Sequence, residues 1–305
     1  MNNRLPMIFI LLTVVLDSMG IGLIMPVMPD LIQSLEGGDL GQAALWGGVL
    51  ATIFAVMQFM FGPTIGSISD RFGRRPVLLI ALVVMSLDYV LMAVAGTIWL
   101  LVLGRIIGGI TAATQSTASA YMADISAPEE KAANFGLIGA AFGVGFVIGP
   151  LLGGLLAEYG TRAPFWAAAV LAGMNAIFGY FALPETVTDR IRRPFLWRRA
   201  NPLGAFKSIN KLPGLGRLMI ISFVYSIAFF VYPSIWAYFG KLQFGWGPGM
   251  IGLSLGAFGI GIAITQGLLM RPILKRIGER NAVMLGLGID VVAFISLGFV
   301  TNGWI

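Results

Sequence analysis

Long apolar stretches alternate with short polar breaks along almost the whole chain. A helix that crosses a bilayer needs about 20 apolar residues. Nine stretches meet that length, at roughly 6–28, 44–66, 76–96, 98–122, 134–157, 164–183, 215–240, 249–270 and 281–302. Breaks between the first six are brief, and a longer polar segment at 184–214 separates them from the last three. The pattern predicts an all-α membrane protein in three parts. Residues 1–183 form a six-helix N-terminal bundle, 184–214 a basic connector, and 215–305 a partial C-terminal bundle of three helices.

One break carries more than its length. Gly66 to Arg75 reads GSISDRFGRR, and a weaker copy, RPILKRIGER, runs from Arg271 to Arg280. Aligned, Arg71 falls on Arg276, Gly73 on Gly278 and Arg75 on Arg280, so the chain reads as duplicated. Gly66 and Gly73 are expected to permit a tight turn and close helix approach. Asp70 is expected to pair with a neighbouring arginine or to cap a helix.

Composition agrees with a membrane solvent. Hydrophobic residues make up 57% of the chain and charged residues 11%, against about 25% charged in soluble domains. The mean hydropathy is +0.87. The first apolar run is longer than a signal peptide's and has no small-residue cleavage site, so it is expected to remain as a span. A net charge of +6 raises the question of nucleic acid. The distribution argues against it, because the basic residues crowd on alternate loops. Arg4, Arg71, Arg74, Arg75, Lys131, the connector residues Arg190, Arg192, Arg193, Arg198, Arg199, Lys207 and Lys211, Arg217, and Arg271, Lys275, Arg276 and Arg280 fall on one side. Arg162 and Lys241 fall on the other. The positive-inside rule then places the N-terminus, GSISDRFGRR and the connector in the cytoplasm. Cysteine and histidine are absent, which removes thiol nucleophiles, thiolate metal sites and the side chain that titrates nearest neutral pH. No metal or cofactor is expected, and neither H-E-x-x-H nor a nucleophile elbow is present, so an enzyme is not expected.

Charges inside apolar runs stand out against this background. Asp17, Asp88 and Asp290 do so, as does Arg105. A charge at mid-bilayer costs about 2.5–3.5 kcal/mol on insertion scales, so each should face a partner or a wet cavity. Arginine keeps its proton, and Arg105 therefore needs a carboxylate, which sequence alone does not choose between Asp17 and Asp88. Two readings stand side by side: a static ion pair, or a proton site, because a carboxylate taken out of water holds a proton more readily. Gln58, Gln115, Asn175 and Gln266 are further polar groups in apolar runs, suited equally to gluing helices and to touching a substrate.

Two helical patterns complete the reading. Gly145, Gly149, Pro150, Gly153 and Gly154 give small-xxx-small spacing with a proline bend, which suits close helix packing. Tyr225, Phe229, Tyr232, Trp236 and Phe239 form one helical stripe. It reads as lipid contact and an interfacial belt, or as the wall of an apolar drug pocket.

The pattern G-x-x-x-D-R-x-G-R-R, built on Gly66, Asp70, Arg71, Gly73, Arg74 and Arg75, resembles the signature between helices two and three of major facilitator transporters. The run G-x-x-x-G-P-x-x-G-G from Gly145 to Gly154 resembles the helix-five signature of their drug–proton antiporters. With LDSMGIGLIMPVMP, SLDYVLMA, LGRIIGGITAAT, MIGLSLGAFGI and GLGIDVVAF in order, the chain is similar throughout to the bacterial tetracycline efflux antiporters. The resemblance implies a monomeric inner-membrane exporter of amphipathic drugs, driven by a proton gradient, with lipid, drug and protons as its partners. It implies roles for Asp17, Gln58, Asp70, Asp88, Arg105 and Asp290, with Asp17 as the partner of Arg105. It also implies twelve helices in two halves, so the last three are expected to be missing here, by natural truncation or an incomplete sequence. The 305 residues alone are then not expected to complete a transport cycle. One departure is Gly261, where tetracycline pumps commonly carry histidine. A porter for another metabolite and a non-transporting membrane protein are the alternatives.

Overall fold

The computed structural model describes residues 4–112, 115–189, 192–195, 215–301 and 303. Most of the 184–214 connector, with Arg190, Arg198, Arg199, Lys207 and Lys211, lies outside the described residues, as do Trp304 and Ile305. The elements are α1 (Arg4–Ile24), α2 (Met28–Glu36), α3 (Leu40–Phe72), α4 (Arg74–Ala93), α5 (Ile98–Ala112), α6 (Gln115–Ile125), α7 (Lys131–Ala157), α8 (Ala163–Ala182), α9 (Leu215–Phe244), α10 (Pro248–Ile264), a π turn (Thr265–Leu269) and α11 (Met270–Leu297).

Eight helical stretches among the described residues are long and apolar enough to cross a membrane; Ile98–Ile125 counts as one of them. The apolar α10 is shorter, at 17 residues. It runs on through the π turn into α11, where the first backbone break is Gly278 (φ 76°). At about 1.5 Å per residue, the stretch from Pro248 to Ile277 exceeds a hydrocarbon core of about 30 Å. Pro272 accounts for the π turn one turn upstream, since its ring displaces the carbonyl it cannot bond.

Three expectations are corrected. The break between the first two spans holds an extra helix, α2. Proline stands in its first turn and Gly37 ends it in the left-handed region (φ 65°). The GSISDRFGRR stretch is not a ten-residue loop. Helix α3 continues through Gly66 to Phe72 and α4 begins at Arg74, so the turn contracts to Gly73 alone (φ 110°). Gly66 makes no turn; it lies inside α3, where a Cβ would stand 3.8 Å from Ser116 Oγ. The second copy behaves alike, helical through RPILKRI and broken at Gly278. Both breaks need a positive φ, which is why each is a glycine.

The first eight helices bury two apolar clusters. One gathers Leu23, Leu31, Leu50, Met92, Leu101 and Phe165, and the other Phe9, Leu78, Tyr121, Met122 and Ile138. A third, around Trp236, Ala237, Ile251 and Leu255, joins α9 to α10 and takes Met25 from the end of α1.

Helix α7 is the central strut. Its glycines present two edges, and both make close approaches. Gly149 lies on the backbone of α1, 3.1 Å at its Cβ position from Gly22 Cα. Gly154 lies on α10, its Cβ position 2.7 Å from Pro248 O and 3.1 Å from Gly252 Cα. Methyl groups at these points would meet backbone, which cannot swing aside. The α10 side answers with Gly252, Gly256 and Gly259, set against Pro150, Leu151 and Val147.

Candidate functional site

The buried charges meet in one cavity. Asp17 comes from α1, Gln58 from α3, Asp88 and Tyr89 from α4, Arg105 from α5 and Gln115 from α6, around ≈ 590 Å³ of empty space. Asp88 is 3% exposed. Its carboxylate sits on α5 between two glycines: Oδ1 is 3.0 Å from a Cβ position at Gly104, and Oδ2 is 2.8 Å from one at Gly108. The LGRIIGG run thus provides a seat for an acid from the next helix, with Arg105 beside it.

The expected pairing of Arg105 with Asp17 is not made. Among the described residues Arg105 forms no ion pair. Its Nη2 donates to Met92 Sδ at 2.6 Å, and its guanidinium stands 5.4 Å from the Phe54 ring centroid. Asp88 shares the cavity lining with Arg105 and stands against Gly104 and Gly108, which lie on either side of Arg105 in α5. Tyr89 lines the same cavity. Asp17 Oδ1, Asp88 Oδ1 and Arg105 Nε are buried without a hydrogen-bond partner among the described residues. Such atoms are costly to leave bare. A proton or a cationic group would satisfy the two carboxylate oxygens, and an acceptor such as a ligand's anionic group would satisfy the Arg105 Nε–H.

The other expected residues are distributed elsewhere. Gln58 faces the cavity and reaches Ala112 O at 3.5 Å. Asn175 is a helix clasp, donating to Thr13 Oγ1 at 2.9 Å. Asp290 lies on α11, outside the cavity lining. The aromatic stripe divides. Tyr225 and Phe229 stack on each other and remain exposed. Tyr232 and Trp236 stack and turn into the α9–α10 core, where Trp236 Nε1 donates to Ser254 Oγ at 2.8 Å. None of the four lines the cavity, because the periodicity of α9 defines a face but not what covers it.

At the hinge end a second cluster forms, part of which sequence reasoning misses. Arg74 is buried, with Nη1 3.0 Å from Asp70 Oδ1 and Nε 2.5 Å from Asp124 Oδ2 at the end of α6. Glu185, just past α8, accepts the backbone N–H groups of Arg74 (3.0 Å) and Arg75 (3.2 Å). It caps α4, whose own N-cap is Gly73 and has no side chain to offer. Arg75 donates to Tyr180 O at 2.7 Å and stacks over the Tyr180 ring, while Arg71 stands over the neighbouring Phe72. Asp124 and Glu185 sit at helix ends, where acids are commonplace, so only their meeting with the hinge marks them.

The Major Facilitator Superfamily sequence profile matches residues 10–305. The chain belongs to that superfamily. Within it the chain falls in the group of tetracycline resistance proteins. It is 44% identical to the class C protein of Escherichia coli, over 99% of this chain and 75% of that protein. It is 38% identical to the class G protein of Vibrio anguillarum, over 97% of this chain and 75% of that one. The chain spans about three quarters of the length of these relatives. The crystal structure of the human organic anion transporter MFSD10 (TETRAN) shares the fold, with a TM-score of 0.69 at 24% identity, over 88% of this chain and 72% of that one. In this superfamily member the buried charges of α1, α4 and α5 line one cavity together with residues of α3, α6 and α7.

Proposed function

We propose that this chain exports amphipathic drugs of the tetracycline type across a bacterial inner membrane in exchange for protons. It does so as a multi-pass protein with its N-terminus and the 184–214 connector in the cytoplasm. The observation that carries the reading is the convergence of Asp17, Asp88 and Arg105 on one cavity, each with a buried polar atom that has no partner among the described residues. Such a site accepts either protons or a ligand with cationic and anionic groups, and exchange follows when the two compete for the same carboxylates. Similarity to proteins named for tetracycline resistance supports the substrate class. No bond in the substrate is broken, so the protein acts as a transporter and not as an enzyme. Residues 1–183 and 215–305 act as two bodies that rock about the cavity, with Asp290 on the second body as a further proton or cation sensor.

The test is drug-induced proton release in proteoliposomes carrying the full natural chain. Tetracycline and other amphipathic cations should release protons, and Asp17→Asn should abolish the release while insertion is unchanged. Normal exchange in Asp17→Asn would remove the basis of the reading. Because Gly261 stands where histidine is common in the group, tetracycline is to be compared with non-tetracycline drugs in the same assay.

A further inference from the structure

Contacts between the first eight helices and the α9–α10 pair concentrate at the end opposite the hinge. Helix α9 is exposed from Ile220 to Val231 and becomes buried only from Tyr232 onward, next to Pro233. Proline inside a helix removes a backbone bond and bends it. Beyond Pro233, α9 lays two side chains on the first eight helices. Tyr238 enters the apolar cluster that holds Leu23 and Leu50, with its hydroxyl where a Cβ on Gly47 in α3 would lie. One turn on, Lys241 donates to Asp30 Oδ1 and to Gln33 Oε1 (2.6 Å), both on α2. The short helix α2 thus carries the acceptors that receive α9.

We propose that Tyr238 on Gly47 and Lys241 on Asp30 and Gln33 form a latch that holds the outer mouth of the transporter closed. This inference rests on the orientation given above, which makes the α2 end extracellular. The latch suits repeated opening. The Tyr238 hydroxyl is buried with no hydrogen-bond partner among the described residues, so water that enters on opening would satisfy it. The Lys241–Asp30 pair is partly exposed, 30% and 27% at the side chains, so separating it restores hydration to both ions. A fully buried pair would lock the mouth and not latch it.

These 305 residues hold no cysteine, so a single reporter can be introduced into the full natural chain once any cysteine beyond them is replaced by serine. Met25 packs against the α9–α10 cluster at this mouth, and Met25→Cys reports its opening. With a membrane-impermeant thiol reagent added outside cells, labelling should be slow in the parent. It should be about fivefold faster in Lys241→Met and in Tyr238→Ala, as loss of about one such interaction implies. Lys241→Arg, and the exchange of charges in Asp30→Lys with Lys241→Asp, should return the slow rate. Unchanged labelling in both Lys241→Met and Tyr238→Ala overturns the latch. Faster labelling that occurs only from the cytoplasmic face overturns the orientation, and with it the assignment to the outer mouth. Absence of drug-induced proton release by the parent, with labelling as expected, would instead count against the proposed function and leave the latch standing.

Discussion

Asp88 and Gly108 are matched across two helices. The carboxylate of one stands 2.8 Å from where a methyl group on the other would lie. A side chain added at Gly108 would displace the acid from its seat beside Arg105. Gly108→Ala should therefore lower export about fivefold or more, as overpacking costs about 1–3 kcal/mol and each 1.4 kcal/mol is tenfold. Gly96→Ala, which meets nothing within 4 Å, should be neutral. Equal export by the two variants would show that the seat does not matter.

Arg105 and the two nearby acids can be ranked by coupling. Arg105→Ala should be worse than Arg105→Lys, because it leaves Asp88 and Asp17 buried without a cation. Double-mutant cycles on export, using Asn at each acid and Lys at Arg105, should give a larger coupling for Asp88 than for Asp17. Asp17→Glu, which keeps a titratable group, should retain part of the activity. A larger coupling to Asp17 would mean that the ion pair absent from this conformation dominates the cycle.

Glu185→Gln weakens a charged cap to a neutral one, and Glu185→Ala removes it. The alanine variant should lose about 1 kcal/mol of stability, within the roughly 0.5–2 kcal/mol range of helix caps, with the glutamine variant between it and the parent. Thermal unfolding in detergent reads the loss directly. Identical melting of all three would show that the two N–H bonds from Arg74 and Arg75 contribute nothing net.

Topology can be tested at both ends of α3. Ser67→Cys lies at the hinge end. At the other end Glu36→Cys is preferable to a change at Asp39, which caps α3 by accepting from Gln42 N at 2.7 Å. An impermeant thiol reagent applied outside should label the Glu36→Cys variant and spare the Ser67→Cys variant. Labelling of the Ser67→Cys variant alone would invert the protein.

Spans, hinges and buried charges are legible in the sequence because each is a local contrast: an apolar run, a glycine in a basic break, an acid where lipid is expected. Even the match of Gly73 with Gly278 carries through to the backbone, as both adopt positive φ. What the sequence hides depends on distant elements meeting. Asp124, Glu185, Asp30 and Lys241 look like ordinary polar residues near helix ends until the fold brings each to its partner. Trp236 misleads in the opposite sense. Its helical stripe suggests a pocket wall, yet a neighbouring helix of similar apolarity covers it. The glycines of α10 look like part of a family pattern, and their packing role emerges only once α7 lies against them.

Glu185 follows Arg74 by 111 residues, and that distance has a meaning in time. At about 5–20 residues per second of synthesis, α4 leaves the ribosome roughly 6–20 s before the group that caps it exists. Until then the first turn of α4 has only water for its free N–H groups, and the arginines beside it stand ready for other acids or for anionic lipid headgroups. The hinge is thus closed late in biogenesis, when the end of α8 arrives. A nascent chain stopped before that point would carry all of GSISDRFGRR and still lack its finished form.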